Sequence, residues 1–261
     1  MARATQKRDA RSAGLLGKPF LRGLRADFAE TNAEEYPFNI PALRGGISLD
    51  FETAVTFFVG ENGSGKSTIL EAIAVKSGFN PQGGNRDHCF GGTSDISTLA
   101  SRLRLEWLPK VTEGFFLRAE TFFNFASFID EVVDGNTKGF RAYGGKSLTA
   151  QSHGESFLAL FANRFKRGLY VLDEPEAALS PQRQLSFLKI IHDLAQAGAA
   201  QFLIATHSPM LLAYPDATIF SMDADGIERV KYQDTQHYVL TKQFLDCPER
   251  YFKYLFGEEP E

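Results

Sequence analysis

A run of small residues that ends in lysine and two hydroxyl residues has the chemistry of a phosphate-binding loop. Residues 60–68 read Gly-Glu-Asn-Gly-Ser-Gly-Lys-Ser-Thr and directly follow the apolar segment Ala54–Val59. The glycines let successive backbone N–H groups point at one anion. Lys66 can reach the β- and γ-phosphates, and the Ser67 hydroxyl can ligate Mg²⁺. The pattern therefore predicts a site for a nucleoside triphosphate. Its candidate residues are Gly60, Glu61, Asn62, Gly63, Ser64, Gly65, Lys66, Ser67 and Thr68.

Two consecutive carboxylates end a short apolar segment later in the chain. Asp173 and Glu174 follow Leu169–Leu172, which has the composition of a strand buried on both faces of a parallel sheet. Asp173 would hold the shell of a magnesium ion, and Glu174 would orient or partly deprotonate the attacking water. An acidic helix start or a solvated loop would have the same local sequence, but the phosphate-loop pattern 107 residues before Asp173 favours catalysis.

A histidine follows the second apolar strand of this type. His207 comes two residues after Phe202–Ala205, and the carboxyl ends of parallel strands share the sheet edge at which ligands bind. His207 could therefore hydrogen-bond the γ-phosphate and hold the water near Glu174. A single histidine is more often a surface or core residue, but its position at a strand end favours a functional role.

The elements that must position these side chains alternate between strands and helices, which predicts an α/β fold. Strands are predicted at Phe20–Phe28, Ile40–Phe51, 54–59, Ser97–Leu108, Gly114–Arg118, Leu169–Leu172, Phe202–Ala205 and from Thr218 onward. Helices are predicted at 65–77, Glu120–Val133, 154–166, Pro181–Ala197 and 241–256. The phenylalanines that cluster between Phe115 and Phe128 predict a dense aromatic core rather than a platform on which bases stack.

Length and charge fit one domain over residues 19–261, preceded by a basic and flexible tail over residues 1–18. The net charge of −4 provides no overall field that would attract nucleic acid. No apolar run has the length of a membrane span, and the basic start lacks the apolar core of a signal peptide. We therefore expect a cytoplasmic protein.

Taken together, these residues resemble the ATP-binding-cassette (ABC) ATPase superfamily over about residues 20–225. The segment 60–68 is similar to the Walker A motif, Leu169–Glu174 to the Walker B motif, Glu176–Ser180 to the D-loop, and His207 to the switch histidine. The segment 151–155 stands where the family has its Leu-Ser-Gly-Gly-Gln signature, with Ser152 21 residues before Asp173. Only Ser152 and Gly154 of that signature are retained.

The resemblance implies a P-loop fold of ABC type. Its mainly parallel central sheet would be flanked by helices, next to an antiparallel strand region near the N-terminus. A small helical lobe over about residues 120–166 would carry the signature. The implied activity is Mg²⁺-dependent hydrolysis of ATP by a head-to-tail homodimer. In that dimer Ser152 and Gly154 of one chain would touch the γ-phosphate bound by Lys66 of the other.

Two further family positions have only candidates here. By position, Glu120 corresponds best to the Q-loop residue that serves the magnesium shell, although a plain surface glutamate would fit equally well. The aromatic residue that stacks on adenine could be Phe28, Tyr36 or Phe38.

The residues in and around the D-loop indicate which branch of the superfamily the chain resembles. Asp173–Pro181 is similar to soluble ATPases related to the RecF and SMC group, which predicts a protein or nucleic-acid partner. A nucleotide-binding subunit of a membrane transporter, which would need a permease partner, is the alternative. A nucleotide sensor with little turnover is a third interpretation.

Overall fold

The central sheet has six strands. The computed structural model describes residues 19–29, 31–81, 83–84, 96–133, 140 and 145–257, so the basic tail predicted for residues 1–18 lies outside the described part. The strands of this sheet are Val55–Val59 (β3), Gly114–Arg118 (β5), Gly168–Asp173 (β6), Ala200–Ala205 (β7), Thr218–Asp223 (β8) and Gly226–Val230 (β9). They lie in the order β5-β6-β7-β3-β8-β9.

This sheet is parallel except for its last pair. β3 pairs with β7 and β8, and β6 pairs with β5 and β7, all in parallel, whereas β9 returns antiparallel to β8. Every residue of β6 and β7 is buried, as expected for strands covered on both faces. The predicted mainly parallel central sheet is confirmed, and the carboxyl ends of β3, β5, β6 and β7 share one edge.

A separate antiparallel sheet contains Leu21–Ala26 (β1), Ile47–Asp50 (β2) and Arg104–Trp107 (β4) in the order β2-β1-β4. It is fastened to the central sheet by Gln201 of β7. The Gln201 carboxamide accepts a hydrogen bond from the Leu21 N–H (2.8 Å) and donates one to the Leu21 carbonyl (2.9 Å). Gln201 is fully buried, so these two bonds satisfy groups that water does not reach.

Eight α-helices lie in the described residues. They are Lys66–Ser77 (α1), Ser97–Arg102 (α2), Phe122–Val133 (α3), His153–Arg164 (α4), Pro181–Gln196 (α5), Pro209–Leu212 (α6), Gln236–Asp246 (α7) and Pro248–Phe256 (α8). Because successive side chains of a strand point to opposite faces of the sheet, β6 contributes residues to two hydrophobic cores. Leu169 and Val171 pack in the core that contains α1, and Tyr170 and Leu172 pack in the core that contains α4 and α5.

The second core is strongly aromatic. Its edge-to-face or tilted ring pairs include Phe115 with Phe125 and Phe157 with Phe161, whose centroids are 5.1 and 4.7 Å apart. The predicted aromatic core is therefore confirmed. The helices α3 and α4, which belong to the predicted helical lobe, contribute phenylalanines to it.

Three predicted elements differ from the structure. The segment Ser97–Leu108 is not one strand, because the helix α2 precedes the strand β4. Leu99 and Leu103 are four residues apart, which is the spacing of one face of a helix. The segment Ile40–Phe51 holds a 3₁₀ helix before β2, and the two glycines at 45–46 turn the chain between them with positive φ. The tail helix is two helices, since a proline disfavours helical geometry in the residue before it and Pro248 follows Cys247.

Candidate functional site

The phosphate-loop pattern forms the turn between β3 and α1. Gly65 caps α1 in the left-handed region (φ 98°), and a Cβ there would lie 2.9 Å from Ile40 Cγ2. At Gly60 a Cβ would lie 2.3 Å from the Met222 carbonyl oxygen. Both positions therefore need glycine. The positive end of the α1 dipole faces the loop, which suits an anion.

Lys66 lies across this loop. Its side chain is 4% exposed, and Nζ donates hydrogen bonds to the carbonyl oxygens of Gly60 (2.8 Å) and Glu61 (2.9 Å). Burial lowers the pKa of Lys66, while the nearby charges of Glu174 and Asp173 oppose that shift. The ammonium group therefore lies within the loop and within the electrostatic reach of both carboxylates.

Ser67 and Asp173 lie close enough for their side-chain oxygen atoms to ligate one metal ion. The Ser67 hydroxyl donates a hydrogen bond to Asp173 Oδ1 at 3.0 Å. Burial raises the pKa of Asp173, and the adjacent Arg118 guanidinium opposes the shift. A hydroxyl beside a carboxylate at the mouth of a phosphate loop fits Mg²⁺, which prefers one or two protein oxygens together with phosphate oxygens.

Arg118 is a site residue that the sequence motifs did not indicate. It ends β5 in register with Asp173, and its Nε donates to Asp173 Oδ2 at 3.2 Å. The same guanidinium forms an ion pair with Glu71 of α1 at 3.1 Å. Arg118 stands at the end of a strand as His207 does, since β5 also ends at this edge, and that position is the sequence signal for it.

Glu174 has an unusual backbone conformation at the end of β6. Its φ of 50° lies in the left-handed region, which non-glycine residues seldom adopt. The side chain is 42% exposed, and its Oε1 lies 3.4 Å from Nε2 of His207. Strained conformations of this kind often occur at functional sites. Here the turn leaves the carboxylate accessible to water and beside the histidine.

His207 makes two more contacts that the sequence did not predict. Its backbone N–H donates to Glu176 Oε1 at 2.6 Å, and its ring Nδ1 lies 2.8 Å from Nε2 of His237. His237 belongs to the first turn of α7, and it lines a cavity of about 460 Å³ together with residues 60–64. No pattern in the sequence connects these two histidines, since they are 30 residues apart.

Ser152 caps α4 and is exposed. Glu155 accepts a hydrogen bond from its N–H (3.2 Å), as in a capping box. Arg183 of α5 donates to the Ser152 hydroxyl (3.2 Å) and to Glu155 (3.1 Å). Gly154 is buried, and a Cβ there would lie 2.9 Å from the Ala178 carbonyl oxygen. The two retained signature residues therefore differ, since Ser152 faces outward and Gly154 packs against the segment after β6.

The remaining candidates are placed as follows. Glu120 is exposed in a 3₁₀ helix directly after β5, and its charge acts on Arg118. Phe28 and Phe38 are buried against each other, edge to face at 5.1 Å. Tyr36 is 55% exposed, and its hydroxyl lies 3.2 Å from that of Thr68. Of the three aromatic candidates, Tyr36 alone is open to a ligand and adjacent to the phosphate loop.

The structure thus brings most of the predicted residues to one sheet edge. Ser67 contacts Asp173, Glu174 contacts His207, and Lys66 is close enough for both carboxylates to affect its pKa.

Two family models match segments that contribute to this edge. A model described as an AAA domain, putative AbiEii toxin, Type IV TA system matches residues 157–213, which include both carboxylates and His207. A model described as an AAA domain matches residues 38–104, which include the phosphate loop. Over these two segments the chain is similar to AAA-type ATPase domains. The predicted resemblance to this class is confirmed, and no curated protein sequence matches the chain significantly.

Several solved structures are similar to the chain at low sequence identity, with TM-scores below 0.5. One is an inward-facing putative metal-chelate type ABC transporter (15% identity, 84% of this chain and 88% of that chain, TM-score 0.48). Another is cbiO1 from Clostridium perfringens, part of the ABC transporter complex cbiONQ (16% identity, 88% of this chain and 97% of that chain, TM-score 0.49). A third is the SMC head domain from Thermotoga maritima (15% identity, 81% of this chain and 98% of that chain, TM-score 0.43). In the described part of this chain, no helix is both long enough and apolar enough to cross a bilayer.

Proposed function

We propose that this chain is a Mg²⁺-dependent ATPase in which ATP closes a head-to-tail homodimer and hydrolysis opens it. The switch would act on a protein or nucleic-acid partner. The observation that carries the proposal is the convergence of Ser67, Asp173, Glu174 and His207 on the loop spanned by Lys66.

The phosphate loop and α1 would bind the triphosphate. Backbone N–H groups of residues 60–68 and the α1 dipole would hold the phosphates. The Lys66 ammonium would exchange its two carbonyl partners for phosphate oxygens, which are stronger acceptors. Ser67 and Asp173 would hold Mg²⁺, which neutralises charge on the β- and γ-phosphates. Glu120 would serve the magnesium shell from the end of β5, and Tyr36 would stack on the base.

Hydrolysis falls to Glu174 and His207. The exposed Glu174 carboxylate would orient and partly deprotonate the attacking water. His207 has Nε2 at 3.4 Å from that carboxylate, and from there it would donate a hydrogen bond to the γ-phosphate. Both side chains come from the ends of adjacent strands β6 and β7, whose register pairs Asp173 with Ala205.

Dimerisation falls to the start of α4. Ser152 is exposed at a helix N-terminus, where a hydroxyl and backbone N–H groups favour an anion. We infer that this end meets the triphosphate of a second chain. Each half-site alone would bind weakly, so closure would depend on ATP.

Light scattering of the purified chain with Mg²⁺ tests the proposal. Wild type and Glu249→Gln, an exposed control, should hydrolyse ATP and dimerise transiently. Glu174→Gln should abolish turnover and accumulate an ATP-bound dimer, whereas Lys66→Ala should lose ATP binding and stay monomeric. Wild-type turnover in Glu174→Gln, or ATP-induced dimers in Lys66→Ala, would contradict the proposal.

Adding DNA to the same assay tests the class of partner. Faster turnover with duplex or single-stranded DNA that falls steeply with salt indicates nucleic acid. A lack of stimulation by DNA would favour a protein partner. Stimulation only by a membrane permease would replace this proposal with a transporter subunit.

A further inference from the structure

Each ring nitrogen of His207 has a polar neighbour, although only Nδ1 makes a hydrogen bond. Its Nε2 faces Glu174 Oε1 at 3.4 Å, and its Nδ1 lies 2.8 Å from Nε2 of His237. The two imidazole rings are 4.9 Å apart between centroids at an interplanar angle of 61°. Thr235 accepts a hydrogen bond from the Tyr238 N–H (3.3 Å) and so fixes the turn of α7 that carries His237.

A hydrogen bond between two neutral imidazoles needs one N–H donor and one bare nitrogen. If His207 donated from Nδ1, its bare Nε2 would point a lone pair at the Glu174 carboxylate, which is also an acceptor. If His237 donates from Nε2, His207 keeps its proton on Nε2. That proton then points toward Glu174 and the phosphate side of the site.

The surroundings favour a neutral ring for His237. Burial lowers the pKa of His237, with further lowering by His207 and Lys66 and opposition from Glu61. The charged groups that face the pair are Lys66, Glu61, Glu174 and Glu176.

We propose that His237 is a positioning residue for the ATPase reaction. Its Nε2–H donates to Nδ1 of His207 and thereby holds His207 in the Nε2–H tautomer that serves Glu174 and the γ-phosphate. This inference rests on the proposed function of His207. It adds that α7, which lies outside the residues matched by either family model, sets the protonation of the switch histidine.

Three substitutions at one position separate donation from packing. His237→Gln keeps an N–H donor at similar reach, His237→Leu removes it, and His237→Glu replaces it with an acceptor. We expect His237→Gln to retain most of the wild-type kcat. His237→Leu should lower kcat about tenfold, the effect of losing one hydrogen bond to a reacting group, with the KM for ATP unchanged. His237→Glu should lower kcat more, because it draws the His207 proton to Nδ1.

Nitrogen-15 NMR of the imidazoles gives a readout independent of turnover. In wild type and His237→Gln, His207 should be protonated at Nε2 and bare at Nδ1. In His237→Glu it should carry a proton on Nδ1, and in His237→Leu the two tautomers should mix. His192→Leu, an exposed histidine on α5, is the matched control and should change neither His207 nor kcat.

The outcomes distinguish this inference from the proposed function. Wild-type turnover in His207→Ala would remove the role of His207 itself, whatever the tautomers are. Reduced turnover in His207→Ala together with an unchanged His207 tautomer in His237→Leu and His237→Glu would overturn the role of His237 alone. Equal loss of kcat in His237→Gln and His237→Leu, with normal thermal unfolding, would also overturn it.

Discussion

Arg118 and Asp173 lie side by side at the ends of neighbouring parallel strands, with Nε of the guanidinium 3.2 Å from Oδ2 of the carboxylate. Asp173 is therefore held on both oxygens, by Arg118 on one and by Ser67 on the other. Arg118 also reaches Glu71 on α1. One guanidinium thus ties β5, β6 and the helix of the phosphate loop together beneath the candidate magnesium site.

The first prediction is that Arg118→Ala destabilises the fold. It removes the guanidinium that pairs with the buried carboxylates of Asp173 and Glu71, and breaking such a pair costs about 3 kcal/mol. Arg118→Lys keeps the charge but cannot bridge both partners, so it should lie between Arg118→Ala and wild type. Urea denaturation measures both. Arg167→Ala serves as an exposed control, and equal stability of all four proteins would refute the prediction.

The second prediction concerns the nucleotide base. Tyr36→Ala should weaken ATP binding about tenfold, in line with the roughly 1–3 kcal/mol that stacking on one base contributes. Tyr36→Phe keeps the ring and should bind almost as wild type does. Titration calorimetry measures the affinities. Tyr254→Ala, at a tyrosine that is 88% exposed, is the control. If Tyr36→Ala binds ATP normally, the base lies elsewhere.

The third prediction concerns the charge at the start of α4. The Glu155 carboxylate would repel a triphosphate in the dimer, and Arg183 balances it from 3.1 Å. Arg183→Ala should weaken ATP-dependent dimerisation on the order of tenfold without changing ATP binding to the monomer. Adding Glu155→Gln should restore dimerisation. Light scattering in the Glu174→Gln background measures this, and additive effects in the double variant would argue against coupling.

The fourth prediction concerns pH. Burial raises the pKa of Glu176, against the hydrogen bond it accepts from the His207 N–H. The folded state therefore holds this proton to higher pH than the unfolded state does. The free energy of unfolding should fall as pH rises from the ordinary glutamate pKa through the raised one. Glu176→Gln should flatten that slope in urea titrations between about pH 4 and 8, and an unchanged slope would exclude Glu176 as its source.

The fifth prediction is that Gln201→Leu loosens the antiparallel sheet. The substitution leaves the Leu21 N–H and carbonyl buried without partners, which costs about 1–3 kcal/mol for each unsatisfied group. Hydrogen exchange at β1 should accelerate more than at β6. Gln182→Leu, at an exposed glutamine of α5, is the matched control. Equal protection of β1 in both variants would show that other contacts hold the sheet.

The parts of the fold that could be predicted from sequence are those that depend on residues close together in the chain. The fully apolar runs before Asp173 and Thr206 indicate buried strands, and the glycine spacing before Lys66 indicates a phosphate loop. The chain between Ser97 and Leu108 was harder, because a short helix and a short strand follow each other without a turn signal.

The contacts that depend on register could not be predicted in the same way. Arg118 meets Asp173 only because β5 and β6 pair with these two residues opposite each other. His237 meets His207 only because α7 begins beside the phosphate loop. Neither contact can be recognised from the residues that neighbour it in the sequence. The motifs identify the residues that would touch ATP, and the tertiary structure identifies those that hold them.

The position of β3 in the central sheet has a consequence for synthesis. Both of its neighbours, β7 and β8, begin at residue 200 or later. Until the ribosome has passed residue 200, the strand that carries the phosphate-loop pattern has no partner in its own sheet. A nascent or truncated chain that ends before β7 therefore leaves β3 unpaired and the candidate phosphate loop without its sheet. Its apolar β3 would be exposed to chaperones and to aggregation until the last strands arrive.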